Sequence, residues 1–124
     1  MRGQCLWLIA VALGARQVPV REAEPVQAAL FSASVGGYHT YRIPSLIVSQ
    51  RGVVLAFCEG RRQGQADAGN IDLVLRRSQD GGRTWGPMQV VWDDGDHTCG
   101  NPCPVVDART GTIWLLCTHN RGED

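Results

Sequence analysis

The sequence predicts an all-β fold in which antiparallel strands follow one another along the chain. Short runs rich in Val, Ile and Leu alternate with turn residues, and the first four runs are YRIPSLIVS, VVLAFCEGR, IDLVLRRS and MQVVWDDG. No helix is expected between them. A meander of four strands in roughly 50 residues has the size of one blade of a β-propeller.

Two more strands follow, and they indicate the start of a second blade. The segment PCPVVDARTGTIWLLCTHN contains an ARTG turn between two apolar runs. Asp107 is expected to cap that turn. In the first strand Pro44 has no N–H to donate, so that strand is predicted to lie at an edge of the sheet or to end there.

The amino terminus predicts export from the cytoplasm. Residues 1–15 have a short polar start, an apolar run and small residues, which is the layout of a secretory signal peptide. A buried first strand or helix is the alternative. The apolar run is too short for a permanent transmembrane anchor, so none is expected in the mature chain. The protein is therefore expected to be secreted, periplasmic or extracellular.

The rest of the chain is divided into two parts. Residues 16–34 are interpreted as a leader with one short entering strand, and residues 35–124 as the folded portion.

The charge balance excludes two classes of partner. Twelve Lys and Arg residues oppose twelve Asp and Glu residues, so no bulk field recruits nucleic acid or an anionic membrane. All twelve basic residues are arginine, whose planar guanidinium favours bidentate recognition of carboxylates. Biased codon usage would produce the same absence of lysine.

The cysteines leave the disulfide state open. Removal of the signal peptide would take Cys5 and leave Cys58, Cys99, Cys103 and Cys117 in a compartment that tolerates disulfides. Cys99 and Cys103 flank a predicted Gly-Asn-Pro turn and could pair, whereas Cys58 and Cys117 lie in apolar runs that suit buried thiols. No metal site is expected, because the spacing of a zinc site is missing.

The most specific local motif is SQDGGRTW, residues 78–85. Ser78 opens the motif, Asp80 can accept hydrogen bonds from backbone N–H groups of the turn, and Gly82 can take a positive φ. Thr84 returns the chain to extended geometry and Trp85 packs between strands. The motif resembles the Asp box of sialidase-like propellers, which specifies the fold. Asp80 is therefore predicted to stabilise the turn without a catalytic part.

The stretch YRIP, followed about 35 residues later by an Asp box, resembles the N-terminal part of the exo-α-sialidase (neuraminidase) family. The resemblance implies a six-bladed β-propeller of which one to two blades are present. It also implies that Arg42 is one of three arginines that hold the carboxylate of the substrate. An exposed arginine at a strand end is the ordinary interpretation, and the Ile-Pro context and the Asp box together outweigh it.

Further site residues follow from the same resemblance. The segment AFCEGRRQGQADAGN resembles a sialidase stretch that leads to a loop aspartate, so Asp67 is implied as general acid/base. Arg61 matches a position near the 4-hydroxyl end of the substrate, and Glu59 is expected to orient an arginine. Asn101 matches a pocket-lining turn, with a simple Asn-Pro turn as the equal alternative. Asp72 begins a strand and is predicted to be structural.

The implied activity is hydrolysis of terminal α-linked sialic acids from glycoproteins, glycolipids or oligosaccharides with retention and without a cofactor. Sialidases use a tyrosine nucleophile, and neither Tyr38 nor Tyr41 stands at its place in the motif order. The nucleophile, its glutamate partner and two arginines are expected in sequence beyond this chain, which is interpreted as an inactive N-terminal fragment. The alternative is a noncatalytic Asp-box propeller that binds carbohydrate or acts as a scaffold.

Overall fold

The computed structural model describes residues 27–123 and shows an all-β molecule. The predicted signal peptide (residues 1–15) and residues 16–26 of the predicted leader lie outside the described residues. The described part has no helix, hence none that could cross a bilayer. Its six strands are β1 (Thr40–Val48), β2 (Val54–Arg61), β3 (Ile71–Ser78), β4 (Gln89–Trp92), β5 (Thr98–Val106) and β6 (Ile113–Asn120).

The first four strands form the predicted antiparallel meander. In one row across the sheet Ser45 lies opposite Phe57, Phe57 opposite Leu75, and Leu75 opposite Gln89. The strand β1 lies at the edge of the sheet, as Pro44 predicts. This part of the fold is confirmed as one blade-like unit.

The strands β5 and β6 form a second antiparallel hairpin that adjoins the first unit. Val106 of β5 lies opposite Ile113 of β6, and a single parallel pair, Ile71 with Thr98, connects β5 to β3. Asp107 caps the intervening turn as predicted, because its Oδ1 accepts a hydrogen bond of 2.8 Å from the backbone nitrogen of Arg109. The second blade-like unit therefore begins where the sequence indicates.

The core lies on both faces of β2 and β3. Adjacent residues of a strand point to opposite faces, so Cys58 and Phe57 contribute to different clusters. The buried members of the first cluster are Tyr38, Cys58 and Val74, and those of the second are Leu55, Phe57 and Leu75. Ile113 and Leu115 of β6 pack against the second cluster, which joins the two units.

The outer strands leave large apolar side chains in solvent. Leu46 of β1 is 64% exposed, and Trp114 and Leu116 of β6 are 62% and 60% exposed. The two β6 residues stand two positions apart and therefore share one face of the strand. Both edge strands of the described sheet, β1 and β6, thus carry exposed apolar side chains.

The Asp box forms the predicted hairpin after β3. The carboxylate of Asp80 accepts hydrogen bonds from the backbone nitrogen of Thr84 at 2.9 Å, from its hydroxyl at 2.6 Å and from the Ser78 hydroxyl at 2.8 Å. Gly82 has a φ of 92°, and Trp85 donates its indole N–H to the Gly82 carbonyl over 3.0 Å. These contacts, led by the Thr84 side chain, hold the pKa of Asp80 well below its usual range.

Residues 27–34 contain no strand, because the hydrogen bonds of this part close turns instead of joining the sheet, and residues 16–26, the rest of the segment for which an entering strand is expected, lie outside the described residues. Two expectations about local structure are wrong. Asn101 lies inside β5 and not in a turn, since the register shifts between Gly100 and Cys103 and the strand then continues. Cys117 is exposed instead of buried.

The question of a disulfide is answered for the described cysteines. Cys58, Cys99, Cys103 and Cys117 are all free thiols. Cys99 is buried and Cys103 is exposed, because the bulge between them redirects the strand. Cys58 is buried as expected, and burial raises the pKa of its thiol to about 11.

Candidate active site

The candidate site lies at the end of the sheet where β1 begins and β2 ends. The register of β1 against β2 shifts between Arg42 and Ser45, and Ile43 between them has a φ of 53°. A β-branched residue avoids this left-handed region, so the bulge is a strained feature that redirects the neighbouring side chain. The loop between β2 and β3 carries Asp67 to the same end.

Arg42 and Asp67, the two main site candidates of the sequence, are in direct contact. Nη1 of Arg42 lies 3.1 Å from Oδ1 of Asp67, and it also donates to the Gln65 carbonyl at 3.3 Å. The two side chains are 46% and 82% exposed. An ion pair this exposed contributes little to stability, so both groups can exchange partners with a ligand. The Asp box follows the other end of β3, roughly 20 Å away at about 3.3 Å per residue.

Arg61 lies beneath the loop and is almost fully buried. Its side chain is 3% exposed, and Nη1 donates to the carbonyls of Gln65 at 2.6 Å and Ala66 at 2.7 Å and contacts Oδ1 of Asp67 at 2.8 Å. Nε and Nη2 donate to Oε2 of Glu59 at 3.1 and 2.7 Å, so Glu59 orients this arginine as expected. Arg61 therefore anchors the loop, and its contact with a substrate stays a prediction.

The two arginines set the charge state of Asp67. The hydrogen bond from Arg61 lowers the pKa of the Asp67 carboxyl, and the charges of Arg61 and Arg42 lower it further. Asp67 is thus ionised in the ligand-free site at neutral pH. A change of its partners would be needed before it could carry a proton at that pH.

Asn101 approaches the site from the second hairpin. It has a φ of 52°, its side chain is exposed, and Nδ2 donates to the Thr118 hydroxyl over 2.8 Å. Its backbone nitrogen donates to Oε1 of Glu59 over 2.9 Å. The sequence did not indicate this link between Glu59 and β5, since the contact joins positions 42 residues apart.

Tyr38 and Asp72 form a buried structural pair next to the site. The Tyr38 hydroxyl donates to Oδ2 of Asp72 over 2.6 Å, and Nη2 of Arg62 lies 2.7 Å from the same oxygen. Tyr38 is 3% exposed and Asp72 is fully buried. Burial raises the pKa of the Tyr38 hydroxyl above its ordinary value. Tyr38 is therefore inaccessible as a nucleophile, and Asp72 is structural as predicted.

Metal ligation has no support in residues 27–123. No group of three or more His, Cys, Asp or Glu side chains is arranged there to hold an ion. The described residues place the exposed carboxylate of Asp67, the guanidinium groups of Arg42 and Arg61 and the Asn101 amide at the site.

Comparisons with known proteins agree with the fold and the motifs. No family model matches the chain. The exo-alpha-sialidase of Arthroderma benhamiae is 40% identical in an alignment of 96 residues that covers 73% of this chain and 23% of that protein. A sialidase of Micromonospora viridifaciens is 43% identical in an alignment of 92 residues that covers 70% of this chain and 14% of that protein.

A solved structure gives the same result. The Hadza microbial sialidase Hz136 superimposes with a TM-score of 0.64 at 30% identity, covering 71% of this chain and 19% of the other. That sialidase and the present chain share a fold over the matched part. The chain belongs to the sialidase family, and it spans less than a quarter of the length of the relatives it matches.

Proposed function

We propose that this chain contributes the Arg42–Asp67 part of the active site of a retaining exo-α-sialidase, which hydrolyses terminal α-linked sialic acids from glycoconjugates. The observation that supports the proposal most directly is the 3.1 Å contact between Arg42 and Asp67. Both side chains are exposed, so a ligand can reach them from solvent. Arg42 would clamp the carboxylate of the substrate and Asp67 would act as general acid/base. Arg61 and Asn101 would line the same pocket.

The geometry supports an exchange of partners when substrate binds. Arg42 donates to the Asp67 carboxylate in the free site, and the carboxylate of a sialic acid is a competing acceptor for the same guanidinium. Loss of the Arg42 contact and exclusion of water both raise the pKa of Asp67. Substrate binding would thereby convert an ionised carboxylate into a proton donor for the leaving oxygen, and the ionised group would later activate water.

The nucleophile is proposed to come from outside the described residues. The resemblance places a tyrosine, its glutamate partner and two further arginines beyond the stretch that this chain matches. Tyr38 is buried against Asp72 and cannot replace that tyrosine. We therefore expect no hydrolysis by the 124-residue chain alone. Substrates of the complete site would be sialylated glycoproteins, glycolipids or oligosaccharides, reached after secretion directed by residues 1–15.

A chimera tests the proposal. Residues 27–123 replace the corresponding segment of the Arthroderma benhamiae exo-alpha-sialidase, and release of sialic acid from a sialylated oligosaccharide is measured. The expected result is turnover by the chimera and none by the chain alone. A folded chimera that binds the oligosaccharide without hydrolysing it would instead favour the noncatalytic carbohydrate-binding alternative.

A further inference from the structure

Glu59 connects the candidate site to the second hairpin through one buried carboxylate. Glu59 is a residue of β2, and its side chain is 4% exposed. Its Oε2 accepts two hydrogen bonds from Arg61, at 3.1 and 2.7 Å, and its Oε1 accepts one from the backbone nitrogen of Asn101 at 2.9 Å. Oε2 therefore contacts the arginine that holds the Asp67 loop, and Oε1 contacts the backbone of β5.

Gly100 provides the space that this connection needs. A Cβ atom at Gly100 would lie 2.8 Å from Oε1 of Glu59 and 3.4 Å from the Thr118 hydroxyl. Real Cβ atoms essentially never approach another atom to less than 3.0 Å, so a side chain here would displace the carboxylate. Position 100 thus requires glycine because the Glu59 carboxylate lies too close for a Cβ atom, and not because the backbone has a positive φ.

The same bulge occurs in the first strand of both units. Gly100 lies opposite Thr118 just before a register shift, as Arg42 lies opposite Glu59. In each strand the next residue precedes a proline and has a positive φ, 53° at Ile43 and 52° at Asn101. The second unit therefore has glycine where the first has the site arginine, and the Glu59 carboxylate lies over that glycine.

We propose that Glu59 is a positioning residue that couples the docking of β5 to the placement of Asp67. The coupling runs from the Asn101 N–H through Glu59 to Arg61 and from Arg61 to the loop. Arg61 holds the Gln65 and Ala66 carbonyls and Asp67 itself. Only the consequence for turnover rests on the proposed sialidase function, whereas the geometric coupling can be tested without it.

The charge of Arg61 makes the coupling strong. A buried guanidinium is costly without a counter-charge and without acceptors for its N–H groups. The Arg61 side chain is 3% exposed, and its other carboxylate partner, Asp67, is 82% exposed and solvated. Displacement of Glu59 would leave two buried donors unpaired, so Arg61 would turn toward water and release the loop.

The test uses hydrogen exchange by NMR on the full 124-residue chain. In the unmodified protein the Asn101 amide and the Arg61 Nε–H should exchange slowly. Gly100→Ala keeps every charge, but its Cβ displaces Oε1 of Glu59. Glu59→Gln replaces one carboxylate oxygen by an NH₂ group, which in either orientation of the amide faces an N–H donor, that of Asn101 or those of Arg61. In both variants the two protons should exchange about tenfold or more faster. Gly64→Ala is the matched control, because a Cβ there meets nothing within 4 Å.

The carboxyl of Asp67 supplies a second measurement that loss of stability alone would not change. Arg61 and Arg42 are the charged groups that contact it, and the Arg61 hydrogen bond is the main cause of its lowered pKa. Its pKa, followed by carboxyl NMR, should rise toward the ordinary value in folded Gly100→Ala and stay unchanged in Gly64→Ala. In the chimera the acidic limb of the pH–rate profile should shift in the same direction.

Two results would overturn the coupling. One is fast exchange of the Asn101 amide or the Arg61 Nε–H in the unmodified chain, which needs no variant to fold. The other is a folded Gly100→Ala protein with unchanged exchange at both protons and unchanged Asp67 titration. An inactive chimera with the expected NMR changes would contradict the proposed function and leave the coupling standing.

Discussion

Arg61 is 3% exposed, yet it forms an ion pair of 2.8 Å with Asp67, which is 82% exposed. The buried partner holds the solvated one in place, because Arg61 is itself fixed by Glu59 and by two loop carbonyls. Arg42 contacts the same oxygen of Asp67 from the solvent side. At this site Arg61 therefore anchors the Asp67 carboxylate, whereas Arg42 can leave that carboxylate and bind a ligand instead.

Asp67→Ala should reduce turnover by the chimera about 100- to 10,000-fold while much of the substrate binding remains, because it removes the proton donor. Steady-state kinetics on a natural sialoside would measure the effect. Asp96→Ala, which removes another exposed carboxylate, is the control. Hydrolysis at the original rate by the Asp67 variant would exclude this residue from the mechanism.

Arg42→Lys should raise the KM of the chimera, because one ammonium group cannot reproduce the guanidinium fork. A hydrogen bond between charged groups contributes about 1.5–3 kcal/mol, which corresponds to roughly tenfold or more in KM. Arg109→Lys changes an arginine exposed in the β5–β6 turn and should have no effect. A KM that stays the same in the Arg42 variant would contradict the clamp.

Asp80→Asn should destabilise the chain in a pH-dependent way. The hydrogen bonds to Asp80 depress its pKa in the folded state, so its stabilising contribution is present above the unfolded pKa of about 3.9 and is lost as pH falls below it. The difference in Tm between the two proteins should be largest at neutral pH and shrink below about pH 4. A difference that stays constant down to pH 2 would disprove this account of the turn.

Gly60→Ala should lower the free energy of unfolding by about 1–3 kcal/mol through overpacking. A Cβ at Gly60 would lie 2.7 Å from the ring of Tyr38, which is held by its hydrogen bond to Asp72. Denaturant titration measures the loss, and Gly64→Ala in the adjoining loop should change stability little. Equal free energies of unfolding for the two alanine variants would show that the Tyr38 ring moves aside without cost, which contradicts the prediction.

The chain without residues 1–15 should self-associate, because Trp114 and Leu116 expose apolar surface on one face of β6. Sedimentation should show a shift toward monomer when both are changed to Gln. Thr110→Gln, in the exposed turn before β6, should leave the distribution unchanged. A monomeric starting protein would refute the expectation.

Much of the fold follows from local sequence. The alternation of apolar runs and turn residues specifies all six strands, and SQDGGRTW specifies a hairpin in which the side chains of Ser78, Asp80 and Trp85 bond to residues no more than four positions away. The Asn-Pro turn was wrong because a bulge with positive φ has the same composition as a turn.

By itself the sequence determined the succession of strands along the chain, the Asp box, and Arg42 and Asp67 as separate site candidates, since short-range patterns and a family motif carry that information. Only the tertiary structure decided that Arg61 is buried beneath the loop and that Glu59 reaches Asn101. These contacts depend on the packing of one strand pair against another, and no local pattern encodes which buried carboxylate will meet which distant backbone amide.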